Sequence, residues 1–95
     1  MSKFTYVKRP LEIEAVRYKG DGKVYGEDIP DWMMDALNTK IIEADSDGNL
    51  YIKTLEGKML VTKDNWIIRG IKGELYPCKH NIFEELHFKK DKSND

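Results

Sequence analysis

At 95 residues the chain has room for one small domain and little room for a deeply enclosed active site. With 16 basic and 17 acidic residues the formal charge is -1, which argues against general attraction to nucleic acid or an anionic membrane but not against a local basic patch. One cysteine, Cys78, excludes an internal disulfide, and the absence of a signal-peptide h-region and of any membrane-length apolar run predicts a soluble cytosolic protein.

The first strand is expected in "LEIEAVRYKG". Leu11, Ile13 and Ala15 alternate there with Glu12 and Glu14 at the period of a half-buried strand, and Pro10 stands at its entrance. The glycine-rich "GDGKVYGED" reads as a loop without phosphate-loop spacing. "DIPDWMMDALNTK" is the best helix. Asp28 is in position to cap it, Pro30 suits its first turn, and Asp31 complements the positive dipole end. Ile29, Met33, Ala36 and Leu37 share one face, with Trp32 at its edge.

Short strands then alternate with turns. "KIIEA" and "LYIKTL" flank an Asp47-Gly48 hairpin signal; "MLVT", "WIIRG" and "GELYPCK" follow, with Pro77 marking an edge strand. "NIFEELHF" predicts a short helix with Asn81 and Glu84 as a capping box, and "KKDKSND" a solvated charge run. The sum is an α+β fold. It has a small, mainly antiparallel curled sheet or partial barrel of five to six strands, one inserted helix and a short C-terminal helix. Residues 1–88 are expected to form a single compact domain and residues 89–95 a flexible charged tail.

Reaction chemistry is hard to find. Cys78 and His80 share a face if both lie on a strand, yet no group to orient the base and no oxyanion hole is evident. One Cys and two His fall short of a zinc set, and "EADSDGN" lacks the spaced ligands of a calcium loop, so no metal and no cofactor is expected. Arg69 is more informative. It shares a face with Ile67 and Ile71, and an Arg among apolar neighbours is either paired or aimed at a ligand. Glu12, Glu14 and Glu74 are the plausible partners, and the structural ion pair is the favoured reading. Lys72 and Lys79 offer a modest basic patch, Tyr76 an aromatic platform beside it, and the glycines at 70 and 73 a tight turn or a small phosphate nest. Trp32 and Trp66 are core residues or interface anchors, and Tyr18, Tyr25 and Tyr51 could extend such a surface.

The segment "WIIRGIKGELYPCKHNIF" resembles the C-terminal signature of a family of small bacteriophage and prophage proteins, whose usual form reads roughly "PGDYIIRGVKGELYPCKPDIFEKTYE". "VKRPLEIEAVRYKG" is similar to that family's opening "KRPIEVEAIQWTG", "IPDWMMDAL" to its "IPEWL" helix, and "LYIKTLEGKMLV" to its central hairpin, so the likeness covers most of residues 8–86. Two departures stand out. Thr62-Lys63-Asp64-Asn65 replaces the Pro-Gly-Asp turn, and His80-Asn81 replaces the Pro-Asp before the last helix. The resemblance implies a setting more than an activity: a phage-encoded accessory protein in the host cytoplasm that binds a host protein, as a counter-defence inhibitor for example. A nucleotide- or phosphate-binding protein built on Arg69, Lys72 and Tyr76 is the first alternative, a nucleic-acid binder the second, and an enzyme is not expected. A homodimer through an edge strand is compatible with all of these.

Overall fold

The computed structural model of the protein describes residues 13–26 and 28–86. The expected contributions of Pro10, Leu11 and Glu12, and the charged tail, lie outside the described residues. The chain runs β1 (Glu14–Gly20), β2 (Lys23–Val24), α1 (Asp31–Asn38), β3 (Ile42–Ala44), β4 (Leu50–Thr54), β5 (Gly57–Val61), β6 (Trp66–Arg69), β7 (Leu75–Cys78) and α2 (His80–Leu86). The α+β architecture expected from the sequence is formed, with antiparallel pairing throughout. Among the described residues the strands number seven and divide between two open sheets, ordered β2-β1-β6-β7 and β3-β4-β5.

The β3–β5 meander follows from its turns. Gly48, at φ +86, supplies the left-handed conformation that closes the β3–β4 hairpin. The Asp45 carboxylate accepts the N–H groups of Asp47 and Asn49 at 2.8 and 2.9 Å, so this acid shapes a turn. The four-stranded sheet instead depends on a long-range pairing, β1 with β6, in the register Glu14↔Arg69, Ala15↔Ile68, Val16↔Ile67 and Arg17↔Trp66.

That register decides which side chains are buried. Val16, Tyr18, Ile67 and Leu75 point to the core and meet Met33 and Ala36 of α1 and Ile42, Leu50, Ile52 and Val61 of the second sheet. Each fully buried Ile, Leu, Val or Met side chain in this set stabilises the fold by about 1.5–3 kcal/mol. The inward set on β1 is therefore the even-numbered one, a correction to the Ile13–Ala15 alternation. Ala15 lies on the opposite face, across from Ile68. That face is covered as well: Ile68 is 1% exposed, and α2 stacks Phe83 on Trp66 with ring centroids 3.9 Å apart and planes 7° from parallel. A strand buried on both faces loses the polar–apolar alternation that would reveal its orientation.

Tyr18 is not a surface residue. It is fully buried, and its hydroxyl donates to the Gly48 carbonyl at 2.6 Å and accepts the Gly22 N–H at 2.8 Å. It therefore ties the β1–β2 turn of one sheet to the β3–β4 turn of the other. Tyr25 is exposed, packs against the guanidinium of Arg17 and the ammonium of Lys19, and donates to the Asp64 carboxylate at 2.7 Å. The hydrogen bond to that carboxylate holds the Tyr25 hydroxyl above the usual phenol range.

Both helix starts differ in detail from the pattern. Pro30, not Asp28, is the N-cap of α1, and no side chain caps it. The Pro30 carbonyl accepts the N–H groups of Met33 and Met34 at 3.0 Å each. The α1 face expected from its spacing is the buried one: Met33 and Ala36 are buried, and Ile29, Trp32 and Leu37 pack against the core. Helix α2 begins at His80, so Asn81 falls within its first turn rather than at its cap. The His80 N–H is taken by the Asn65 side-chain oxygen at 3.1 Å. An acceptor brought from 15 residues away replaces the local cap.

Candidate functional site

An open groove of about 860 Å³ lies where α1, the β4–β5 hairpin and the start of β7 meet. Helix α1 contributes Trp32, Asp35, Ala36 and Thr39, the i, i+3, i+4, i+7 stripe of a single helical face. The hairpin contributes Lys53 through Glu56 and Met59. The third wall is Arg69 at the end of β6, with Gly73, Glu74, Leu75 and Tyr76.

The groove is apolar because three elements run out of core at the same place. Trp32 and Leu75 pack against the buried cluster from its edge. Met59 and Ile41 are partly uncovered, at 37% and 42% exposure. Leu55 sits at the tip of the hairpin, fully exposed. The tip is a two-residue turn between the paired Thr54 and Gly57. It is held by the Thr54 hydroxyl, which donates to the Gly57 carbonyl at 2.8 Å and accepts the Glu56 N–H at 3.1 Å.

Arg69 pairs across the strands with Glu14, Nη1 to Oε1 at 2.9 Å, one of the three carboxylates the sequence offered. The pair is not buried: its side chains are 42% and 60% exposed. Lys53, the other cation of the groove, lies 4.0 Å from Glu43, which also pairs with Lys58 at 3.7 Å.

The turn at residues 70–73 holds its own anion. The Glu74 carboxylate accepts the Lys72 N–H at 3.0 Å, the Gly70 N–H bonds to the Glu74 carbonyl at 2.8 Å, and the Gly73 N–H to the Gly70 carbonyl at 2.9 Å. Gly70 lies directly under the Glu74 carboxylate, so a side chain there would push that carboxylate aside. Tyr76 is partly covered. Burial, with Glu74 beside it, raises its hydroxyl above the usual phenol range, so it remains a neutral donor at ordinary pH.

Of the six candidate residues, Trp32, Arg69 and Tyr76 line one groove. Lys72 is exposed in the turn, with its N–H engaged by Glu74, and Lys79 is exposed between β7 and α2. Trp66 lies on the far face of the sheet, where its indole N–H donates to His80 Nδ1 at 3.0 Å. The other His80 nitrogen, Nε2, is 3.3 Å from the Glu84 carboxylate, so both ring nitrogens are committed away from Cys78. Burial raises the Cys78 thiol above its usual range, the opposite of what an activated nucleophile needs.

Sequence reasoning missed Leu55, Met59 and Leu75. For Leu55 a signal existed: a leucine in the turn of "TLEGK", where Gly, Asn, Asp or Pro is the usual choice. Among the described residues no cluster of His, Cys, Asp and Glu could hold a metal ion, and no helix is long and apolar enough to cross a membrane. No protein-family model, curated protein or solved structure matches the chain.

Proposed function

We propose that the protein is a non-enzymatic binding protein that seats part of a partner protein in the groove between α1, the β4–β5 hairpin and β7. The observation that carries this reading is the convergence of Trp32, Met59 and Leu75 with a fully exposed Leu55 around one apolar depression. Aromatic and aliphatic side chains grouped in a concavity and rimmed by charge are the composition of a protein-binding hot spot. A leucine held out in water at a hairpin tip contributes nothing to the fold and is available to a partner.

The setting is a phage-encoded accessory protein acting on a host protein in the host cytoplasm, as a counter-defence inhibitor for example. The support here is the likeness of the segment from Trp66 to Phe83 to the phage signature. A nucleotide-sequestering role finds less support, because a phosphate entering the turn at residues 70–73 would have to displace Glu74.

The test compares capture from a bacterial lysate by the wild-type protein and by a Leu55→Ser, Met59→Ser variant shown to be folded by circular dichroism. A host protein retained by the first and lost by the second is the expected result. Identical captured proteins for the two would overturn the assignment to this groove.

A further inference from the structure

We infer that the groove takes a basic amphipathic segment, with apolar side chains seated among Trp32, Leu55 and Leu75 and Lys or Arg side chains set against Asp35 and Glu56. This rests on the binding-protein reading above and adds the chemistry of the partner.

The argument is the balance of charge around an apolar floor. The lining holds two cations and three acids. Both cations face a carboxylate from outside the groove: Arg69 has Glu14 at 2.9 Å, and Lys53 lies 4.0 Å from Glu43, which it shares with Lys58 at 3.7 Å. Among the described residues, Asp35 and Glu56 form no ion pair, and the Glu74 carboxylate accepts a neutral backbone N–H. The charge left uncompensated is therefore negative. It stands on two walls, Asp35 on the helix and Glu56 at the hairpin tip, with Trp32 and Leu55 next to them.

An acidic segment would bring like charge against both walls, which disfavours it. A second copy docked groove to groove would bring a lining with the same excess of acids against this one, which disfavours it too. A segment with leucine-like anchors flanked by Lys or Arg satisfies the floor and both walls together.

The test uses three short fluorescein-labelled synthetic peptides: one of leucine and lysine, its leucine-to-serine counterpart, and its lysine-to-glutamate counterpart. Binding to the full chain is read by fluorescence anisotropy. The leucine–lysine peptide should bind at least about tenfold tighter than either counterpart and weaken as salt rises. An Asp35→Asn, Glu56→Gln double variant should weaken it about fivefold or more while leaving the thermal midpoint unchanged. Leu55→Ser should weaken it regardless of salt.

Equal binding of the lysine and glutamate peptides, with Leu55→Ser still harmful, would overturn the basic partner and leave the groove reading standing. Indifference of all three peptides to Leu55→Ser would overturn both. Loss of self-association in Leu55→Ser, seen by sedimentation, would assign the groove to a second copy and overturn the present proposal.

Discussion

Replacing Tyr18 by Phe isolates the link between the two sheets, because it removes one oxygen and keeps the buried ring. That oxygen makes two bonds, to the Gly48 carbonyl at 2.6 Å and from the Gly22 N–H at 2.8 Å. The two losses are unequal. The Gly48 carbonyl keeps a second donor, the Asp21 N–H at 3.3 Å, whereas the Gly22 N–H loses its acceptor. At about 1 kcal/mol per net hydrogen bond, with some recovery by water at the exposed Gly22, the cost should be about 1.5 kcal/mol. With a urea dependence near 1 kcal/mol/M the unfolding midpoint should fall by about 1.5 M. The thermal midpoint should fall by about 6–12 °C. Urea titration followed by circular dichroism measures the first. Amide exchange measures the location, and it should quicken at Asp21 and Gly22. A Tyr18→Phe variant within about 0.5 kcal/mol of wild type, with unchanged exchange at Gly22, would refute the coupling.

Arg69→Ala should cost only about 0.2–1 kcal/mol in urea titration, because its pair with Glu14 is half in water; a loss above about 2 kcal/mol would mean the pair acts as a buried one. Asp64 has φ +76 and bonds the exposed Tyr25 hydroxyl, so Asp64→Gly should be more stable than Asp64→Ala by about 1 kcal/mol, and an alanine variant equal to the glycine one would contradict this. Cys78 and Tyr76 hold their protons more tightly in the fold than in the unfolded chain, through burial first and, for Tyr76, also through Glu74. The unfolded chain then ionises first. Stability should be level below the ordinary thiol range and fall as pH rises through the thiol and phenol ranges toward the folded values. Urea midpoints measured across that range test this; a level or rising midpoint would refute it, and Cys78→Ala should remove the lower part of the slope.

Turn chemistry and helical period made much of this fold legible. Asp47-Gly48 placed the β3–β4 hairpin, Pro77 placed β7 at an edge, and the spacing of Met33, Ala36 and Leu37 identified the buried face of α1. These signals act over a few residues. What was illegible acts over many. The pairing of β1 with β6 joins residues some 50 positions apart; β6 is buried on both faces and shows no orientation by polarity, whereas the chain entering and forming β1 alternates one way through Ile13 and Ala15 and the other through Val16 and Tyr18. Tyr18 resembled the exposed Tyr25 because an aromatic ring with a hydroxyl fits either place; two backbone partners from separate turns decided it. Asn81 was a sound cap in isolation and lost its place to Asn65, which no local pattern connects to His80.

The candidate groove and the long-range register have the same origin. Pairing Val16 with Ile67 sends Ile67 into the core and, two residues on, sets Arg69 on the same face where the core ends. The next strand carries this forward: Leu75 stands across from Arg69, packed at the edge of the core and lining the groove. A register slip of one residue would turn Ile68 inward and remove Arg69 and Leu75 from the groove together. The apolar wall of the groove is thus the unfinished end of the core. Glu14 keeps Arg69 from being a free cation there, and Glu74, folded back on its own turn, keeps the glycine turn from serving as an open anion site. With both positive features answered internally, the unanswered features are the apolar floor and the acids on its walls. Those are what the proposed partner would complement.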